Sequence, residues 1–149
     1  TPGQIQRYMN KISGPLLDRI DIQVEITPVP FNDISQAAPG ESGAAIRERV
    51  IKAREVQAVR FKPFNGIHCN AQMTERMIHQ FAEPDADGVQ LLRTAMEKLS
   101  LSARAYNRIL KVARTIADLA GSEKVTPEHF AEAISYRNLD RGDWAERQG

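Results

Sequence analysis

Apolar and polar residues follow each other along most of this chain with the spacing of amphipathic helices. The clearest case is the segment 102–120, where apolar residues recur every three or four positions and form one stripe along a helix. The stripe consists of Tyr106, Ile109, Leu110, Ala113, Ile116, Ala117 and Ala120. Ser102 is a favourable N-cap for this helix, and Gly121 is the residue type that commonly ends one.

Further amphipathic patterns predict helices on either side. They are expected over residues 2–11, 41–60, 74–81, 85–99 (or from 87) and 126–137. Thr74, Asp85 and Thr126 are suitable N-caps for the last three. In the 41–60 helix, the side expected to face a core carries Ala45, Ile46, Val50, Ile51, Ala53, Val56 and Val59. These segments together predict a mainly α fold.

One segment has the alternation of a strand. Between residues 20 and 27, isoleucine or valine occupies every second position and a polar residue the positions between, which predicts a half-buried strand. Gly14 and Pro15 precede it, followed by a short helical turn over 16–19. Because a single strand is not stable by itself, we expect its neighbouring strands to lie outside this chain.

The chain divides into four parts. Residues 1–27 hold the first helix, the turn and the strand; residues 28–40, with three prolines and a glycine, are expected to be a linker. Residues 41–137 form the helical part, and 138–149 a polar tail in which Leu139 and Trp144 could dock. Since the chain starts with Thr1 and a helix begins at once, we expect a piece of a longer protein.

Composition and charge narrow the classes of function. The formal net charge is +1, from 20 basic and 19 acidic residues, so any contact with nucleic acid must come from local basic patches. The single cysteine, Cys69, excludes an internal disulfide and suits a cytoplasmic protein. No apolar run approaches the roughly 18 residues of a membrane span, and no signal pattern is present.

Helix 102–120 also carries a basic row opposite its apolar stripe, formed by Arg104, Arg108, Lys111 and Thr115, with Arg114 beside it. Such a row is either a solvated face or a site for an anion such as phosphate. Arg19, in the segment GPLLDRIDI, has two comparable interpretations. It forms a salt bridge with Asp18 or Asp21, or it reaches a phosphate held by a neighbouring molecule.

Other chemistry finds little support. The chain has no GxxxxGK(S/T) phosphate loop and no GxGxxG motif, so it is not expected to bind and cleave a nucleotide unaided. His68, His79 and His129 are too far apart to predict a metal site. Five basic residues in helix 41–60 could follow DNA, but glutamates interleave with them and favour a salt-bridged solvent face. The basic residues are Arg47, Arg49, Lys52, Arg54 and Arg60.

Two blocks of sequence carry a family resemblance: YMNKISGPLLDRIDIQVEI and LSARAYNRILKVARTIADLAGSEKVTPEHFAEAISYR. They resemble the C-terminal part of the magnesium-chelatase-like AAA+ ATPases of the ComM (YifB) type, from Tyr8 to about Trp144. The resemblance implies a helical AAA+ lid bundle, residues 41–137. It is preceded by a remnant (helix, turn and one strand) of the α/β AAA+ core, residues 1–27. It further implies a hexameric ring ATPase that acts as a DNA helicase in branch migration during natural transformation.

The resemblance also implies roles for individual residues. Arg19 matches the arginine finger, which reaches in trans to the γ-phosphate bound by the adjacent subunit. Arg104 matches the sensor-2 arginine, on a lid that closes over the nucleotide of its own subunit, and Arg108 is a further candidate one turn on. The full-length protein would bind ATP and Mg²⁺, whereas this piece alone would bind neither. Its partners would be copies of itself and DNA, the latter through pore loops outside this chain, with no membrane.

Two other functions stay open. Magnesium insertion into a porphyrin uses the same fold and both arginines. A helical protein-interaction module without a nucleotide role would use neither. Arg114 and Arg137 are interpreted as surface or ion-pair residues rather than ligands.

Overall fold

The computed structural model describes residues 1–137, and over this range the chain is mainly helical. The α-helices are α1 (Pro2–Asn10), α2 (Gly14–Arg19), α3 (Phe31–Ser35), α4 (Gly43–Phe61), α5 (Glu75–Phe81), α6 (Ala86–Leu99), α7 (Ala103–Leu119) and α8 (Pro127–Ser135). A short 3-10 helix covers Asn70–Gln72. The mainly α fold predicted from the sequence is confirmed. The predicted tail 138–149, with Leu139 and Trp144, lies outside the described residues.

Local side-chain chemistry sets the ends of α7. The Ser102 hydroxyl accepts a hydrogen bond from the N–H of Ala105 at 3.2 Å, so it caps the first turn as predicted. Beyond the last turn, Gly121 adopts a φ of 70°, a conformation that side chains other than glycine rarely take. This reversal lets the N–H of Ser122 donate to the carbonyl of Ala117 at 2.8 Å.

Helix α7 is the centre of the bundle. It packs against α4, α5, α8, the 3-10 helix and α2, while α6 packs against α8. Four members of its predicted stripe are buried: Ile109, Leu110, Ala113 and Ala117. Tyr106 and Ile116 are half-buried and Ala120 is exposed. Arg114 and Asp118 are buried as well, although the first was expected on a basic face.

Helix α4 corrects the sequence analysis. Of the residues expected to face the core, only Ala53 is buried; the exposed ones are Ala45, Ile46, Val50, Ile51, Val56 and Val59. The buried row is Ala53, Gln57 and Phe61. Ile46 and Val50 extend this row at helical spacing, yet they are 43% and 37% exposed, because the first half of α4 has no described element packed over them. The predicted row contained Ile46, Val50 and Ala53 but neither Gln57 nor Phe61, and periodicity could not show which part of it is covered.

The predicted strand over residues 20–27 is not formed, and residues 1–137 contain no strand at all. Its apolar side chains are exposed, Ile26 most of all. A strand needs an adjacent strand to take up its backbone hydrogen bonds, and the described residues provide none. Instead the N–H of Gln23 donates to the carbonyl of Tyr136 at 2.7 Å. The predicted linker 28–40 contains one feature that its composition did not indicate, the short helix α3.

Candidate functional site

A groove runs along the outer side of α7, opposite its buried stripe. Its volume is about 1030 Å³. The segment 21–24 and the first half of α4 contribute to its walls, together with Tyr136 at the end of α8. Apolar side chains form part of its lining: Ile22, Val24, Val112, Ile116 and Leu119. An elongated site that combines an apolar surface with a few charged groups suits a small ligand.

Three cations of the predicted basic row line this groove, and the structure distinguishes them by their partners. Arg108 donates to the carboxylate of Asp21 at 2.9 Å. Lys111 donates to the carbonyl of Ala71 at 3.0 Å. Arg104 is exposed and makes no hydrogen bond or ion pair with another residue of the range 1–137. An anion that enters the groove therefore meets Arg104 without competition, whereas at Arg108 it must displace Asp21.

Arg19 is the last residue of α2, outside the residues that line the groove, and its side chain is exposed. The salt bridge considered for it is not formed, because both carboxylates have other partners. Asp18 accepts a hydrogen bond from the hydroxyl of Ser102 at 3.1 Å, and Asp21 pairs with Arg108. Within the described part of the chain, the Arg19 guanidinium has no ionic partner of its own. It is available to a group outside this chain.

The backbone around Arg19 is held firmly although its side chain is not. The guanidinium of Arg137 donates to the carbonyl of Asp18 at 2.6 Å and to the carbonyl of Ile20 at 2.8 Å. Arg137 is only 1% exposed, so of the two interpretations considered for it, a surface or an ion-pair residue, the first is wrong. The bonded residues lie 119 and 117 positions apart in the sequence, and no local pattern could have indicated the contact.

Two other arginines of the predicted basic faces belong to a buried polar network around Asp118. Arg60 donates to both carboxylate oxygens of Asp118, at 2.8 and 2.7 Å, and Arg114 donates at 3.2 Å. The side-chain amide of Asn70 donates to the same carboxylate at 2.9 Å. Arg60 and Arg114 are therefore structural residues, and neither is free to bind an anion.

The network also shifts the pKa values of two of its members, Asp118 and Arg114. Burial by itself would raise the pKa of Asp118, but the hydrogen bonds from Arg60 and Asn70 and the charges of Arg114 and Arg60 outweigh it, so the pKa lies below its ordinary value. Burial lowers the pKa of Arg114, although the nearby charge of Asp118 opposes this change. Asp118 therefore stays ionised between its two arginines.

The salt bridges with glutamate that were expected for the charged face of α4 are formed by two of its five basic residues. Arg49 forms a bidentate contact with Glu41, and Lys52 pairs with Glu48 at 3.3 Å. Within residues 1–137 there is no group of three or more His, Cys, Asp or Glu side chains placed to hold a metal ion. Among the helices of that range, none combines the length and the apolar character needed to cross a bilayer.

Comparison with known proteins gives matches over nearly the whole chain. Residues 40–137 match the family described as magnesium chelatase, subunit ChlI C-terminal, and residues 1–34 match magnesium chelatase, subunit ChlI. The chain is 44% identical over 142 residues to a protein named YifB of Escherichia coli strain K12. It is 40% identical over 142 residues to a protein named Competence protein ComM of Haemophilus influenzae. Each alignment covers 95% of this chain and 27% of the relative, so the chain spans about a quarter of the length of these relatives.

Proposed function

This chain belongs to the magnesium chelatase ChlI family, of the ComM/YifB type, and we propose that it supplies the arginine finger and the lid of an AAA+ ATPase ring. The observation that carries the proposal is the contrast among its basic residues. Arg19 and Arg104 are exposed and have no ionic partner within residues 1–137, whereas Arg49, Arg60, Arg108 and Arg114 all pair with carboxylates. Other arginines, such as Arg7 and Arg93, are exposed as well. Arg104 differs from them because it lines the groove, and Arg19 because the backbone on both sides of it is bonded to Arg137.

The arginines and the groove of this chain are suited to bind a nucleoside triphosphate. A guanidinium presents a planar set of donors that matches phosphate oxygens, and a groove with an apolar part can accept the remainder of a nucleotide. Arg104 would bind a phosphate of ATP, with Arg108 beside it once Asp21 is displaced. Mg²⁺ would be held outside the described residues, which offer it no carboxylate cluster.

Arg19 would act on the nucleotide of an adjacent subunit. Its role is to neutralise the charge that develops on the transferred phosphoryl group. An arginine finger supplied in trans accelerates such reactions on the order of 10³- to 10⁵-fold, or about 4–7 kcal/mol of barrier. The exposed position of Arg19 at the end of α2 supports this role, because the side chain is free to enter a neighbouring subunit.

We propose further that the whole protein is a hexameric cytoplasmic DNA helicase that promotes branch migration in recombination and natural transformation. The support is the 40% identity to a protein whose name refers to competence. DNA would be gripped by parts outside this chain, since two of the basic residues of α4, Arg49 and Lys52, already pair with glutamates. The exposed thiol of Cys69 is compatible with a reducing compartment.

A second candidate is the ATPase subunit of a magnesium chelatase, which would drive Mg²⁺ into a porphyrin. The observation in its favour is that both family matches carry the chelatase description. The two candidates share Arg19 and Arg104 and differ in what stimulates ATP turnover. Branched DNA would stimulate the helicase, whereas porphyrin together with its partner subunits would stimulate the chelatase.

The test is ATP turnover by the full-length protein. Arg19→Ala and Arg104→Ala are each expected to lower the turnover at least tenfold, a fraction of the effect of a lost finger. Arg7→Ala and Arg93→Ala are matched controls, because both residues are exposed helical arginines away from the site, and they are expected to leave turnover unchanged. If Arg19→Ala and Arg104→Ala are as active as the controls, the chain is an interaction module.

Mixed rings separate a role in trans from a role in the residue's own subunit. Arg19→Ala subunits are mixed with subunits that cannot hydrolyse ATP but retain Arg19. Turnover is expected to recover, because each defective neighbour supplies the missing finger to an intact ATP site. Failure to recover, under conditions where light scattering shows complete rings, would contradict the role in trans.

A further inference from the structure

One buried side chain donates hydrogen bonds to both of the backbone carbonyls that flank Arg19. Arg137 follows the C-terminal end of α8, and its guanidinium reaches Asp18 through Nη2 at 2.6 Å and Ile20 through Nη1 at 2.8 Å. Arg137 is as buried as the apolar core, with 1% of its surface exposed. A charged side chain is rarely placed at this depth unless its donors are well used.

The contact has a clear local reason. The last carbonyls of a helix have no partner within that helix, and α2 ends at Arg19. A guanidinium can serve two such carbonyls at once with a fixed angle between its donors, whereas an ammonium is a single point charge. Arg137 therefore holds both the position and the direction of the backbone at Arg19.

Two neighbouring contacts hold the same segment. The Ser102 hydroxyl at the start of α7 donates to the carboxylate of Asp18 at 3.1 Å, and the N–H of Gln23 donates to the carbonyl of Tyr136 at 2.7 Å. The segment on both sides of Arg19 is thus attached to the bundle, whereas the Arg19 side chain itself is exposed.

We propose that Arg137 is the positioning residue of the arginine finger: it fixes the backbone from which Arg19 extends toward the ATP of the adjacent subunit. This inference rests on the proposed function of Arg19. Correct placement of a group that stabilises a transition state raises the reaction rate by a large factor, and a displacement of about 1 Å can lower the rate by up to 10²-fold. Arg137 does not touch the nucleotide; it acts through Arg19.

The alternative is that Arg137 merely stabilises the bundle, and Arg114 provides the matched control. Arg114 is 3% exposed and donates to the carbonyls of Phe81, Ser122 and Glu123. It shares with Arg137 its burial and its bonds to backbone carbonyls, and it also pairs with Asp118. None of its hydrogen-bond partners lies near Arg19, so loss of Arg114 destabilises the bundle without moving the finger.

The experiment compares Arg137→Met, Arg137→Lys and Arg114→Met in the full-length protein. For each, the midpoint of unfolding, kcat and KM for ATP are measured. Arg137→Met is expected to lower kcat about tenfold and to leave KM within about twofold, since a finger acts in the transition state and not in binding ATP. Arg137→Lys keeps the charge, folds, and is expected to be intermediate. Arg114→Met is expected to lower the midpoint with kcat near that of the wild type.

Two further measurements exclude a purely structural effect. The double variant Arg19→Ala/Arg137→Met is expected to be no slower than Arg19→Ala, because a residue that positions Arg19 has no effect once Arg19 is gone. In mixed rings, Arg137→Met subunits are expected to recover turnover from ATPase-dead partners that retain Arg19 and Arg137. The same partners carrying Arg137→Met are expected to give no recovery.

The outcomes also distinguish this inference from the proposed function. If Arg19→Ala itself has full turnover, both fail. If Arg19→Ala is impaired but Arg137→Met and Arg137→Lys turn over ATP like Arg114→Met, only the positioning role fails. Additive losses in the double variant would overturn the positioning role too, and so would an absence of recovery in mixed rings.

Discussion

Asp118 offers the sharpest test of how the bundle is held together, through the substitution Asp118→Asn. The side chain of Asp118 is fully buried between Arg60 and Arg114, whose side chains are 10% and 4% exposed. An asparagine has nearly the same shape, but it removes the negative charge and replaces one acceptor oxygen by an amide that donates. Two buried guanidinium groups would then lack a counter-ion.

The contacts set the size of the effect. The carboxylate accepts four hydrogen bonds, three from Arg60 and Arg114 and one from Asn70. Removing one partner of a buried ion pair typically costs about 3–5 kcal/mol of unfolding free energy. With a urea m-value of about 2 kcal/mol per molar, the midpoint of unfolding is expected to fall by roughly 2 M.

The assay is urea unfolding of the 149-residue chain followed by far-ultraviolet circular dichroism. Asp87→Asn is the control, because Asp87 is an exposed carboxylate on α6, and it is expected to change the free energy by less than about 0.5 kcal/mol. A loss below about 1 kcal/mol for Asp118→Asn, or one equal to that of the control, would refute the argument that this ion pair stabilises the bundle.

The pH dependence of the unfolding free energy provides an independent check of the same site. Because the folded-state pKa of Asp118 lies below its ordinary value, its contribution is complete above the unfolded-state pKa of about 4. The contribution is lost as the pH falls through the lowered folded-state pKa. A protonated Asp118 then resembles the asparagine, so the difference in unfolding free energy between the two chains is expected to narrow below pH ~4. A difference that stays constant down to the acid unfolding of both chains would contradict the assignment.

Two further substitutions test the packing and the ending of α7. Ile109→Ala is expected to cost about 2–5 kcal/mol of unfolding free energy, because Ile109 is buried in the core, whereas Ile46→Ala on the exposed start of α4 is expected to cost far less. Equal losses in urea unfolding would mean that the assigned core face of α7 is wrong. Gly121→Ala is expected to cost about 1–2 kcal/mol, since alanine must adopt a φ of 70° there. Gly43→Ala at the start of α4, where no neighbour lies within 4 Å, serves as its control and is expected to be neutral or slightly stabilising.

The parts of the fold that local chemistry specifies could be predicted from the sequence. Ser102 and Gly121 marked the ends of α7 because a cap and a left-handed residue act on their immediate neighbours. The face of α4 could not be predicted, since the spacing of Ile46 and Val50 identifies a row but not what covers it. The prediction of a strand over 20–27 failed for the same reason: alternation indicates which side chains could share a face, but not whether a second strand is present to pair with it.

The residues of the candidate site also differ in whether local sequence could identify them. Arg19 and Arg104 were found from motifs within a few residues of each, and the structure leaves both of them exposed. Arg114 is an ion-pair residue, as one of the two interpretations held, because its partner Asp118 lies one helical turn away. The burial of Arg137 could not be predicted, because its surroundings come from distant segments. The hydrogen-bond partners of Arg137 are more than a hundred residues away in the sequence, and neither hydrophobic periodicity nor charge pattern contains that information.

The long sequence separation between Arg137 and α2 has a consequence for folding during translation. A ribosome releases α2 first and Arg137 only after every other helix described within residues 1–137, so this contact cannot form before those helices have emerged. The entropy needed to close so large a loop must be repaid by helices that have already packed. A chain that stops before Arg137 therefore lacks this contact, and the segment around Arg19 keeps its bonds to α7. Synthesis of residue 137 is therefore the point in translation from which the backbone at Arg19 can be held on both sides.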